Sequence, residues 1–344
     1  MEIEIRLERV REILEDKKID VIITKNPSNI FYLTGIIEIE GYLVVDRDNL
    51  YLFVSPLYFN ECHDYIKRGS FENFHLQEIK NKNFRKFISG YKKIGLINTE
   101  ITYSGYKDLQ KGLKAKIYLF DDFILDLRSV KDEKEIEFIK KAELIAKNVI
   151  ETVKKNLKEG INELDIVAEI KYQIIKNGGR KESFEPIVAS GIYSSYPHHK
   201  SRDKKIKNGE VVIIDLGADF NGYKSDLTYT FFVGDVDEEI KRIYKIVEET
   251  QKISVEYLRK ENIKGYDLYK KAIENFKKYN IEKFFVHGLG HGIGIDVHEK
   301  PYLNKKGKEK LKKGNVFTIE PGIYIPEKFG IRLEKMIFLK NLTI

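Results

Sequence analysis

The chain has 344 residues, enough for two domains at the usual allowance of roughly 150 residues each. Hydrophobic residues at 42% and charged residues at 33% exclude a disordered chain, and no apolar run approaches the ~20 residues of a membrane-spanning helix. The net charge of +7, from 61 basic and 54 acidic residues interleaved along the sequence, describes a solvated surface, so neither nucleic acid nor membrane is expected as a partner.

The opening MEIEIRLERV is charged from its second residue and lacks the apolar core of a signal peptide. Cys62 is the single cysteine, so no intrachain disulfide can form and the expected compartment is the reducing cytoplasm. Residues 6–18 place Leu7, Val10, Ile13 and Leu14 at a helical period. A β-branched run at 20–24 reads as a buried strand, and strand patterns at 42–46 and 50–54 flank a turn signal at 46–49. Strand and helix patterns alternate through 93–97, 104–113 and 116–120, which predicts an α/β domain over residues 1–125. It holds Cys62, His63 and His75 but no cluster of metal-ligating types, so oligomer contacts or substrate selection are expected of it.

Residues 121–130 read as a linker, and residues 126–344 as a second domain. A long amphipathic helix is predicted over 135–157, with Ile139, Ala142, Ile145, Val149 and Val153 on one face. Asn162 caps the next helix and Gly178-Gly179 closes it. From there the chain is mostly strand-like, with one helical interlude at 237–279.

Three stretches carry chemistry. The first, VVIIDLGADFNGYKSDLTYTFFV at 211–233, is two strand patterns around a turn at 219–222. A four-residue turn sets Asp215 opposite Asp226; a two-residue Asn221-Gly222 turn shifts the pairing by two, and either register puts both carboxylates on one face. Like charges that close are unfavourable unless a cation lies between them or one is protonated. The second stretch, 316–339, repeats the design, since a hairpin turning at 326–330 brings Glu320 and Glu334 together. The third, VHGLGHGIGIDVHE at 286–299, threads His287, His291 and His298 through four glycines, which leaves room for backbone to pass close to a ligand. Four carboxylates and one imidazole suit two divalent ions of the manganese, cobalt or zinc kind. Such a pair polarises a carbonyl and activates water, so hydrolysis of an amide or ester is predicted.

These segments resemble the pita-bread metallopeptidases, in the branch of Xaa-Pro aminopeptidases and Xaa-Pro dipeptidases (prolidases). The resemblance rests on IIDLGADFNGYKSDLT, HGLGHGIGIDVHE, FTIEPGIY, GIRLE, SFEPIVASG with Pro197-His198, NIFYLTG and LRSVKDEKEIEFIKKAE. It implies an α/β N-terminal domain of the creatinase type followed by an α+β pita-bread catalytic domain, and a homodimer. It also implies that Asp215, Asp226, His291, Glu320 and Glu334 bind two divalent ions, manganese first, with cobalt or zinc as alternatives. Asp226 and Glu334 would bridge the ions and Glu320 would serve as general base. His298 and His198 would contact substrate and stabilise the tetrahedral intermediate, His287 would line the pocket, and Arg332 would support the ligands from behind. His199 is expected at the surface or in a supporting role.

Two departures from the family pattern bear on this. Tyr229 stands where an arginine is common, which questions the tuning of Asp226. Tyr302 follows Pro301 where many prolidases carry an arginine that grips a dipeptide's carboxylate; Lys300 or Lys305 would be a poorer clamp. The expected function is therefore a Xaa-Pro aminopeptidase acting on proline-containing peptides. Prolidase is the alternative, and a catalytically silent pita-bread binding module the non-enzymatic one.

Overall fold

The computed structural model describes residues 3–69 and 73–339. Contacts divide the chain into two units, Met1–Arg128 and Ser129–Ile344. In the first, strand Val21–Thr24 pairs antiparallel with Gly41–Asp46 and parallel with Lys93–Ile97. Leu50–Val54 and Phe74–Glu78 extend the sheet on one side and Lys116–Phe120 on the other, giving six strands. Val21, Val44, Phe53, Ile94 and Leu96 form the core of one face. The turn at 46–49 forms because Asp46 Oδ1 accepts from the amides of Asp48 and Asn49 at 2.9 and 2.7 Å. Pro27–Thr34 is helical, capped by the Asn26 side chain and closed by Gly35 at φ 75°.

The stretch read as a linker is a helix, Phe123–Arg128, and the boundary between the units follows it. Burial is the reason: Phe123, Ile124 and Arg128 are all enclosed, and Arg128 Nη1 donates to Asn29 Oδ1 at 3.0 Å.

In the second unit the long helix is Glu133–Asn156, started by a capping box in which Asp132 and Glu135 satisfy each other's amides. Its Ile139, Ala142, Ile145, Val149 and Val153 are buried, the stripe that the 3.6-residue period requires. Asn162 accepts from Leu164 N at 2.9 Å and starts Glu163–Lys176. The helical interlude is two helices, Glu238–Tyr257 and Gly265–Lys278, sharing a core with Leu289, Phe317, Ile323 and Ile331. Strands Ile187–Ser190, Glu210–Leu216 and Leu227–Val233 form one antiparallel sheet. Glu299–Leu303, Gly290–Gly292, Val316–Ile319 and Lys335–Phe338 form another.

Both predicted hairpins are present, and their registers place the carboxylates. Asn221 and Gly222 both take positive φ, 50° and 84°, the signature of a two-residue type I′ turn. The shifted register therefore holds, with Phe220 opposite Tyr223 and Asp215 opposite Thr228. Asp226 sits two residues before Thr228, between strands Tyr223–Lys224 and Leu227–Val233, where Gly217 lets the chains close. A Cβ on Gly217 would lie 1.9 Å from Ser225 O and 2.0 Å from Ser183 Oγ. In the C-terminal hairpin Gly222's counterpart is the bend at 326–328, and Gly322 pairs with Arg332 while Ile319 pairs with Lys335. One register runs through both ladders, so Glu320 falls opposite Glu334 at the break between them.

Candidate metal centre and active site

Asp215, Asp226, His291 and Glu334 are all buried, at 8, 5, 8 and 6% exposure, and Glu320 is partly buried. Their ligand atoms converge in two trios that share Glu334, Asp215–Asp226–Glu334 and His291–Glu320–Glu334, each with its atoms within 4.8 Å of one another. A third trio of the same compactness adds His298 to Asp226 and His291. The His298 and His291 rings meet edge-on with centroids 4.2 Å apart.

Backbone bonds tie these segments to each other. Glu334 N donates to Thr228 O at 2.9 Å and Glu320 N to Leu289 O at 2.8 Å. His291 N donates to Thr318 Oγ1 at 3.3 Å. Each ligand position is thus anchored within two residues of another.

The electrostatics are those of a cation site. Burial first, then Glu334 and the other carboxylates, raises Asp226 well above the usual carboxylate range. Burial and Glu334 raise Glu320 likewise. Burial, then Asp215, pushes Glu334 up to about 7. His291 Nδ1 donates to Gly292 O at 3.1 Å, which leaves a lone pair on Nε2. That lone pair faces Asp226 Oδ2 at 3.6 Å and Glu320 Oε1 at 3.4 Å. Burial, and His298 beside it, lower the His291 pKa to about 3, so the ring is neutral at pH 7 and these contacts are not ion pairs. Asp215 Oδ1, Asp226 Oδ1 and Glu334 Oε1 are buried without a hydrogen-bond partner. Orphaned oxygens and an inward lone pair, all on the same cluster, are a donor set that a hard or borderline divalent ion satisfies.

Arg332 is the hub behind this cluster. Its Nη2 donates to Asp215 Oδ2 at 2.5 Å, Nη1 to Tyr324 OH at 2.9 Å and to Pro197 O at 3.0 Å, and Nε to Thr228 Oγ1 at 3.1 Å. Thr228 Oγ1 in turn donates to Glu334 Oε2 at 2.8 Å. His287 Nδ1 donates to Gly288 O at 2.7 Å, so its Nε2 accepts from Tyr324 OH at 2.9 Å. Burial, then Arg332, lowers His287 to about 4. His198 lies close enough to depress both His287 and His298.

A family model described as metallopeptidase family M24 matches residues 137–341. The chain belongs to this family. A model of the creatinase/prolidase N-terminal domain matches residues 6–130. A Xaa-Pro dipeptidase of Pyrococcus furiosus is 35% identical over 338 residues, covering 97% of this chain and 94% of that one. A Xaa-Pro dipeptidase of Pyrococcus horikoshii is 37% identical over 340 residues, with the same 97% and 94% coverage. The fold is also similar to a crystal structure of an X-Pro aminopeptidase from Thermotoga maritima, with a TM-score of 0.85, 29% identity and coverage of 98% and 96%. This M24 peptidase is therefore a metallo-exopeptidase whose α/β N-terminal unit is followed in sequence by a pita-bread catalytic unit, and the silent binding module is set aside. No described helix is long and apolar enough to cross a membrane.

Several residues of the M24 site were not visible in its sequence. Thr228 and Tyr324 carry the bonds between Arg332, Glu334 and His287, yet threonine and tyrosine in strands usually signal β-propensity alone. His199 is buried against Glu163 and not at the surface. Lys131 and Glu299, the residue after His298, pair at 2.6 Å with both side chains about 1% exposed. Tyr229 does not act on Asp226: burial together with Glu143 and Glu151 raises its phenol, so it lies toward helix Glu133–Asn156. The neighbouring Thr228, on the opposite face of the strand, takes the role at Glu334.

The raised carboxylates predict a pH signature for the chelated protein. Glu334 titrates near 4.5 when unfolded and about 7 when folded, so its protonated form stabilises the fold and that contribution is lost as pH rises through 7. Asp226 and Glu320 act in the same direction. His287 and His291, with lowered values, act oppositely but only below their unfolded value of 6.5. Between pH 6.5 and 8 the last part of that loss should lower the Tm of the chelated protein by about 1 °C from Glu334 alone, with Asp226 and Glu320 adding to the fall, and manganese should abolish it. A flat profile in differential scanning fluorimetry without metal contradicts the buried-carboxylate account.

Proposed function

We propose that this peptidase is a Xaa-Pro dipeptidase, cleaving the bond between an N-terminal residue and the proline that ends the dipeptide. The two trios sharing Glu334 carry the reading. Following the family resemblance, Asp215 would serve one divalent ion and His291 and Glu320 the other, with Asp226 and Glu334 shared; Glu334 is the residue that the two trios have in common. Two such ions neutralise four carboxylates, whereas one leaves the cluster anionic. The relatives at 35 and 37% identity, both Xaa-Pro dipeptidases matched over nearly their whole length, favour the dipeptidase over the aminopeptidase expected from sequence. Manganese is the proposed metal, with cobalt and zinc suited by the same donors, and a cytoplasmic homodimer is the proposed state from family resemblance.

The metal ions, when bound, supply Lewis acidity at the scissile carbonyl and lower the pKa of water. Glu320 is the general base: its carboxylate lies in the cluster 3.4 Å from His291 Nε2, where it can take a proton from water and return it to the departing proline nitrogen. Partial burial and His198 lower the pKa of His298, which favours a neutral ring able to donate an N–H to the developing oxyanion. His198 serves the same oxygen or the substrate's carboxylate. His287, held through Gly288 and Tyr324, forms a neutral pocket wall. Arg332 fixes the orientation of Asp215.

One observation favours aminopeptidase action as the second reading. Tyr302 pairs directly across from His291 in the strand register, so the position from which an arginine would grip a free proline carboxylate carries no guanidinium. The test is steady-state hydrolysis by the manganese-loaded protein of Xaa-Pro dipeptides and Xaa-Pro-Yaa tripeptides. Cleavage of dipeptides with tripeptides inert is expected; tripeptide cleavage at equal kcat/KM transfers the reading to aminopeptidase, and no cleavage of either with metal bound overturns both.

A further inference from the structure

We propose that the buried Glu163–His199 pair is a positioning device for His198, and so for the substrate contact that the dipeptidase reading assigns to that ring. Among the described residues no side chain hydrogen-bonds the His198 ring, so its location is inherited from the residues on either side. On one side Pro197 O accepts from Arg332 Nη1 at 3.0 Å, which ties the loop to the guanidinium that also holds Asp215. On the other side His199 turns inward, its Nε2 donating to Glu163 Oε2 at 3.0 Å with both side chains fully enclosed.

Glu163 is committed to this segment. Its Oε2 also accepts from Arg202 N at 3.2 Å, and its Oε1 accepts from Ser190 N and Oγ at 2.9 and 2.7 Å. One carboxylate at the start of helix Glu163–Lys176 therefore fastens both the end of strand Ile187–Ser190 and the loop that leaves it. Packing alone does not call for this arrangement. The His199 ring stacks on Tyr193 at 5.3 Å, which a phenyl would do equally well. The imidazole Nδ1 is buried without a partner, a penalty that a phenyl would not incur. What histidine adds is the bond to Glu163, and that bond sets the direction in which its neighbour His198 projects.

The test is a double-mutant cycle between His198→Ala and His199→Phe, measured on a Xaa-Pro dipeptide with the manganese-loaded protein. His199→Phe is expected to lower kcat by about 10²-fold, the scale for a ~1 Å misplacement of a contacting group. It should leave bound metal unchanged and reproduce the kcat-against-KM pattern of His198→Ala. The double variant should be no worse than His198→Ala alone, and His199→Gln, which keeps a donor, should recover most of the loss. Losses that multiply, or an unchanged kcat in His199→Phe, overturn the proposal. If His199→Phe does not fold, Glu163→Gln takes its place in the same cycle with the same outcomes. Hydrogen exchange gives a readout free of catalysis: the amides of His199 and Arg202 should exchange faster in the variant, with strand Glu210–Leu216 unchanged. No change at those amides overturns the anchor. A wild-type protein that cleaves no dipeptide overturns the functional reading instead, and exchange alone then decides the anchor.

Discussion

Glu320→Gln is expected to lower kcat by about 10²–10⁴-fold, the range for loss of a positioned general base, with a much smaller change in KM. The amide keeps the size of the side chain and an oxygen that faces His291, but it cannot take a proton from water. Because the interaction is made in the transition state, kcat and kcat/KM should fall together. Elemental analysis of the variant guards the interpretation. Activity within tenfold of wild type at full metal content removes Glu320 from the role of base.

Glu334→Gln is expected to act on metal and on stability in opposite directions. Glu334 belongs to both trios, so its loss should weaken binding at both positions and lower activity by about 10³-fold or more, several kcal/mol of lost stabilisation. In chelator the same variant should melt at a higher temperature than wild type at pH 8. It removes one of several buried like charges, and the amide still accepts from Thr228 Oγ1. Calorimetric titration with manganese and fluorimetry in chelator measure the two effects. A variant that keeps two tight sites, or that is less stable than wild type without metal, contradicts the assignment of Glu334 as the shared ligand.

The pairing of Asp215 with Asp226 and of Glu320 with Glu334 was legible because hairpin geometry is local, whereas the joining of the two pairs with His291 was implied only by the family resemblance. Asn221-Gly222 can be recognised as a turn, and a turn dictates which positions face each other; even the uncertain register left both aspartates on one face. The buried stripe of the long helix was legible because a 3.6-residue period is local, but its start was not: the Asp132–Glu135 capping box begins it at Glu133, two residues before the expected 135. What escaped depends on contacts between segments far apart in sequence. Glu163 and His199 are 36 residues apart, and Lys131 meets Glu299 across most of the second unit. No periodicity encodes such pairs. The helix Phe123–Arg128 was missed because six residues are too few to display a helical period, and only burial of Phe123 and Ile124 reveals its purpose. The choice between dipeptidase and aminopeptidase was drawn from the single position Tyr302, and similarity along the whole chain outweighs it.

The backbone bonds among the ligand-bearing strands bear on how ions come and go. Glu334 is fastened to Thr228, Glu320 to Leu289 and His291 to Thr318 by bonds that involve no ligand atom. The cage is thereby preorganised: its walls are ordered by the sheet, and a cation entering it does not pay the conformational entropy of assembling them. Metal exchange should then proceed without unfolding and at rates set by dehydration of the incoming ion. The peptidase should then exchange one suitable divalent ion for another within its folded lifetime, so that the ion it carries reflects the supply around it and not the one present when it folded.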